Sequence, residues 1–129
     1  MNYNEFVNYR LSRAKETLDD EKILAEKSKW NSTINRLYSA AFYAASALLL
    51  NSNMNPTTHS GTKLKFLELF IKTEIIPVKY GKMYIQLFQW RQKGDYDDLF
   101  DFDREKTEPY FEPVHEFIIL SEKLIAESK

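Results

Sequence analysis

Residues 31–50 read "NSTINRLYSAAFYAASALLL", and the spacing of their apolar side chains decides the fold. Ile34, Leu37, Tyr38, Ala41, Phe42, Ala45, Leu48 and Leu49 recur at intervals of three and four, which brings them onto one face of an α-helix. The other side is not very polar either, since Ala40, Ala44 and Ala47 form a stripe of small residues. A helix apolar on most sides sits at the centre of its bundle, and small side chains let a neighbour approach closely.

The same pattern continues on both sides. Upstream, Tyr3 to about Lys27 carries Val7, Leu11, Ala14, Leu18 and Ala25 at helical spacing, with charges between them. Downstream, "NSNMNPTTHSG" breaks the chain, because Asn, Pro and Gly do not continue a helix comfortably. Thr58 or Ser60 then caps a third helix with Leu64, Leu67, Phe70 and Ile71 on its apolar side. Pro77 ends that helix and precedes a fourth, through Tyr80, Met83, Tyr84, Leu87, Phe88 and Arg91. "KGDYDDLFDFD" reads as a loop, and a last helix starting between Arg104 and Pro109 carries Phe111, Val114, Phe117, Ile118, Leu124 and Ile125. No stretch alternates with period two for long enough to argue for a strand. The expectation is an all-α, up-and-down four-helix bundle with a fifth short or C-terminal helix, in a single domain over residues 1–129.

Composition narrows the function. A chain of 129 residues holds a real core without staples, and with no cysteine it has neither disulfides nor a thiolate metal site. The N-terminus is polar, and the longest apolar stretch, "LYSAAFYAASALLL", is about 14 residues, too short to span a bilayer. A soluble, cytoplasmic protein without membrane contact is expected. The net charge of −1 gives no bulk drive toward nucleic acid. Its distribution is uneven, however. Residues 61–94 hold seven basic residues against Glu68 and Glu74, while residues 95–116 hold nine acids against Arg104 and Lys106. This describes either two solvated faces or a basic groove for a phosphate-bearing ligand beside an acidic surface.

One stretch poses the functional question: "WRQKGDYDD", Trp90–Asp98. Tyr80, Tyr84, Leu87 and Arg91 share one helical stripe, so the arginine continues a line of buried side chains. A guanidinium there needs a partner, because an unpaired buried charge costs several kcal/mol. Asp95, one turn on, would close the helix end as an ion pair; a bound anion is the alternative. Other chemistries lack support. "EPVH" places Glu112 and His115 at the Glu-x-x-His spacing of di-iron bundles, but His59, the other histidine, has no Glu three residues before it. No glycine-rich phosphate loop or nucleophile elbow is present. No metal and no cofactor are expected.

Three segments in order, "NSTINRLYSAAFYAASALLL", "THSGTKLKFLELFIK" and "QWRQKGDYDD", resemble the HEPN domain (higher eukaryote and prokaryote nucleotide-binding), most of all its small stand-alone prokaryotic branch. The resemblance spans about Asn4 to Ile125. It implies a homodimer, often paired with a small nucleotidyltransferase in toxin–antitoxin or related systems. It also implies, for many members, a metal-independent ribonuclease whose Arg-x4-6-His motif comes from both subunits. Arg91 matches the arginine of that motif. The histidine position falls on Tyr96, Asp97 or Asp98, none of which is histidine. Imidazole titrates near neutral pH and serves as proton acceptor and donor; a tyrosine with a pKa of about 10 does so poorly.

The resemblance implies roles for further residues. His59 and Gly61 match a His-x-Gly pattern at the start of the third helix, read first as structural, the glycine permitting a tight loop and the imidazole tying down the turn. A site role across the dimer is the other reading. Asn35 and Arg36 match family positions, and Asn35 points its amide either into the cleft or into a helix–helix hydrogen bond. Tyr96 stacks on a base or sugar, or caps the core. The expected function is therefore a HEPN homodimer that binds a nucleotide or RNA through Arg91, Asp95, Asn35 and His59, works with a nucleotidyltransferase antitoxin, and has weak or no catalysis. The alternative is an active RNA endonuclease toxin using Arg91 and Tyr96.

Overall fold

The computed structural model describes residues 3–96 and 102–128, with side chains for residues 4–92 and 102–128. Helix α1 (Tyr3–Glu26), α2 (Trp30–Asn51), α3 (His59–Phe66), α4 (Val78–Tyr96), α5 (Arg104–Thr107) and α6 (Phe111–Glu127) follow one another, and no strand occurs among the described residues. The four long helices are α1, α2, α4 and α6. The molecule is all-helical, as the periodicity requires.

α2 is the central element. Ala40, Ala44 and Ala47 are fully buried together with Leu37, Tyr38 and Leu49. Its neighbours are α1, most extensively, and then α6, α4 and α3. Small residues on several sides let these helices crowd one axis. The α1–α2 hairpin is fixed further by Arg10, which donates to the backbone carbonyl of Ser46 at 3.2 Å and to its hydroxyl at 2.7 Å. Lys15 and Glu122 pair between α1 and α6.

Among the described residues, no helix ends on a glycine of positive φ. Ser28, Asn53 and Glu74 take left-handed backbone angles (φ 57°, 63° and 63°). After α2, the Asn53 and Met54 amides donate back to Leu50 and Leu49, the paired arrangement that satisfies the last carbonyls of a helix. Thr58 caps α3, accepting from the Gly61 amide at 2.9 Å. Gly61 therefore lies inside the first turn of α3 rather than in a tight loop. No glycine described has a positive φ, and a Cβ here would sit 2.9 Å from Thr58 Oγ1.

Three expectations change. Leu64 is 62% exposed, and the inward face of the third helix is carried by Thr62, Phe66 and Phe70. One widened turn, Leu67–Ile71, continues α3 and brings Ile71 against α4 at Gly81, where a Cβ would meet Ile71 Cγ2 at 3.0 Å. α4 runs on to Tyr96, through Gly94, so the first part of "KGDYDDLFDFD" is helix rather than loop. The last helical segment is split. Asp103 caps α5 through the Lys106 amide, a single tight turn spans Glu108–Tyr110, and α6 follows.

Two outcomes follow for stability. Ala44→Leu, which adds volume at a site with no exposure, costs about 2 kcal/mol in chemical denaturation, whereas Ala126→Leu on the exposed side of α6 costs about zero. Glu21 is 2% exposed, and burial pushes its carboxyl up to about 7, with Lys22 opposing. Its folded pKa lies above the unfolded value, so the native state holds the extra proton between about pH 4.5 and 7, and stability falls as pH rises through that window. Glu21→Gln flattens this fall and gains on the order of 1 kcal/mol above pH 7, less than the full shift because the carboxylate still reaches solvent through a cavity. Melting curves from pH 4 to 8 check it.

Candidate functional site

Arg91 lies on the C-terminal part of α4, half-buried, with its guanidinium 5.3 Å from the centroid of the Tyr38 ring. The stripe that leads to it is buried as the spacing requires: Tyr80, Tyr84 and Leu87 are all at or below 6% exposed. A planar, weakly hydrated guanidinium stacks well on an aromatic face. Among the described residues no carboxylate pairs with it. Asp95 and Tyr96 fall on the last turn of α4, but their side chains lie outside the described residues, as do Asp97 and Asp98 altogether.

Beside Arg91 is a concavity of about 240 Å³ lined by Asn31, Asn35, Arg36, Trp90 and Phe102. α2 supplies Asn35 and Arg36 one turn before Tyr38, so Asn35 shares this surface with Arg91. Phe102 closes the other side, its amide donating to Asn31 Oδ1 at 2.9 Å and its ring meeting Trp90 edge-on at 5.4 Å. A third cation, Lys63 of α3, has its Nζ 4.3 Å from the Phe88 centroid, and Phe88 in turn packs edge-on against Tyr38. Arg36, Lys63 and Arg91 make no ion pair among the described residues. An open pocket whose guanidinium groups make no ion pair among the described residues is suited to an anion, above all a phosphate with its bidentate geometry.

His59 reaches the same cluster from the first residue of α3. Its Nδ1 is 2.8 Å from Tyr38 Oη, and its ring stacks on Phe42 at 4.3 Å. The imidazole thus ties the start of α3 to α2, while the residue remains exposed on its outer side. Burial, and then the charge of Arg91, push the His59 pKa below its ordinary value, so the ring is neutral at pH 7. Burial pushes the Tyr38 phenol up, with Tyr84 and Arg91 pulling part of the way back, so its proton stays on. Beneath it, Tyr84 Oη is buried without a hydrogen bond of standard geometry.

Of the expected site residues, Arg91 and His59 gather around one tyrosine, Tyr38, and Asn35 lines the concavity beside Arg91. Tyr38 itself was read only as core. The signal available is its hydroxyl: a tyrosine on a fully apolar face brings a polar atom that must find a partner. Glu112 and His115 are both exposed on α6. If Arg91 and His59 share one field, Arg91→Ala raises the His59 pKa in an NMR titration, and Lys82→Ala on the exposed side of α4 leaves it unchanged.

Comparison with known proteins agrees with this architecture. The chain is 37% identical to a UPF0332 protein of Thermotoga maritima over its whole length and 98% of the relative. It is 26% identical to "Putative toxin MJ0142" of Methanocaldococcus jannaschii over 97% of this chain and 85% of that one. A second protein of that archaeon, "Putative toxin MJ0605", is 36% identical over 71% of this chain and 69% of its own. The model of the HEPN domain matches residues 7–124, and the chain belongs to the HEPN domain family.

Proposed function

We propose that residues 1–129 form a single HEPN-like domain that acts as a homodimer, binds RNA or a nucleotide through the Arg91 concavity, and is held in check by a nucleotidyltransferase antitoxin. The observation that carries this reading is the Arg91 guanidinium, stacked on Tyr38 at 5.3 Å with no carboxylate partner among the described residues. A phosphate would accept from Arg91 and Arg36 and from the Asn35 amide, while the open side of the concavity lets a polynucleotide run past. Two relatives named as toxins make an antitoxin partner a natural counterpart. The motif histidine is absent at Tyr96, Asp97 and Asp98, which favours binding over turnover.

A second reading rests on His59. If the protein cleaves RNA without metal, the neutral imidazole beside Arg91 is better suited than Tyr96 to take the proton from a 2′-hydroxyl. Its Nδ1 is engaged by Tyr38, so the base would be Nε2. That requires Nδ1–H to donate to Tyr38 Oη, leaving Nε2 bare. Arg91 would then stabilise the charge that builds on the phosphoryl oxygens.

Labelled RNA and purified protein separate the two readings. Binding followed by anisotropy weakens about tenfold or more in Arg91→Ala, and the salt dependence flattens as phosphate contacts are lost. Undiminished binding by the variant removes Arg91 from the interface. Incubation with total RNA in EDTA yields intact RNA under the first reading. Under the second it yields fragments that vanish in both Arg91→Ala and His59→Ala. Light scattering of the wild type reports the dimer.

A further inference from the structure

A second cavity, between α1 and α6, shares no lining residue with the Arg91 concavity and has the opposite character. It measures about 460 Å³, and Glu21 lines its inner wall. Glu21 is 2% exposed, sits on the inward face of α1 with Thr17 and Leu18, and makes no hydrogen bond or ion pair among the described residues. Leu18, Ala25 and Phe111 form apolar walls, and Glu26, Glu112 and His115 stand at the mouth. Besides His115, the basic side chain lining it is Lys22, which is exposed.

A buried carboxylate without a partner is costly, and the molecule meets that cost by holding the proton: burial pushes Glu21 up to about 7. At neutral pH the group is therefore poised between acid and anion, at the inner end of an apolar cavity with more carboxylates at its mouth. A cation that enters supplies the missing counter-charge. No three His, Asp or Glu side chains among the described residues are placed so that they could hold a metal ion together, so the single inner carboxylate suits an organic cation rather than a metal. We infer that this cavity binds a primary alkylammonium, its NH₃⁺ on the Glu21 carboxylate and its methylene stem along Leu18, Ala25 and Phe111. Glu26 and Glu112 attract the ligand to the mouth, and Phe111 offers a ring to the cationic end as it passes. Binding converts protonated Glu21 to the anion, and the proton leaves to solvent. The ligand is either a free aliphatic amine or the lysine side chain of a partner protein, two sources of one chemistry.

The test is calorimetric titration of the full chain with pentylammonium chloride at pH 7, beside pentan-1-ol as a neutral equivalent. Saturable amine binding is expected, about tenfold or more tighter than the alcohol and weakened by a similar factor in Glu21→Gln. Its apparent heat should change with the ionisation enthalpy of the buffer, because a proton is released. Amide shifts at Ala25 and Phe111 in the wild type locate the ligand without relying on the variant. A diamine that binds more tightly than N-acetyl-lysine amide assigns a free amine; the reverse order assigns a partner's lysine. Equal binding by wild type and Glu21→Gln, equal binding of amine and alcohol, or no saturation at tens of millimolar overturns the inference.

Discussion

The Tyr38 ring is where the molecule is held together and where its chemistry collects. It lies fully buried on the central helix α2, with Tyr84 and Phe88 of α4 edge-on to it at 5.9 and 6.1 Å. Its hydroxyl engages His59 at the start of α3, and Arg91 covers one face. Each of these contacts is modest: an aromatic pair gives about 1 kcal/mol and an exposed cation–π contact rather less. Their convergence on one side chain fixes the relative position of α2, α3 and α4, and with it the distance between an arginine and a histidine far apart in sequence. α2 can present such a side chain to several helices at once because alanines on its other sides let them approach.

Placing a guanidinium on an aromatic face, with no carboxylate against it among the described residues, has an electrostatic consequence. A contact through the flat surface of the group leaves its edge to in-plane partners, the geometry in which a carboxylate or a phosphate accepts from it. Burial, and after it the same positive charge, lowers the pKa of His59, so the anion-binding group acts on the proton acceptor beside it. Arg36 and Lys63 extend the positive field along α2 and α3, gathering onto one side part of the basic excess between residues 61 and 94.

The two concavities are thus complementary in sign. Around Arg91, cations surround a site with apolar flanks from Trp90 and Phe102. Around Glu21, carboxylates surround a site with apolar flanks from Leu18 and Phe111. Both keep an ionisable group withdrawn from water, Arg91 half-buried and Glu21 almost fully so. That withdrawal costs stability and is offset by the aromatic contacts on one side and by proton uptake on the other.

The sequence by itself determined the helices and which of their faces are inside. Periodicity at 34–49 and 80–91 needs only the geometry of a single helix, so α2 and α4 could be read residue by residue, including the burial of the alanine stripe and the line ending at Arg91. Thr58 as a cap was readable for the same local reason. Where local signals were weak, the reading slipped. Leu64 looked inward and Phe66 did not, because a short helix with a widened turn shifts its phase. The turn at Glu74 carries no glycine to mark it. Only the tertiary structure decided that Arg91 rests on Tyr38, that His59 joins it from 32 positions upstream (91 against 59), and that Glu21 faces a cavity. These are relations between helices, set by how their side chains pack at a crossing, and no period within one helix encodes them.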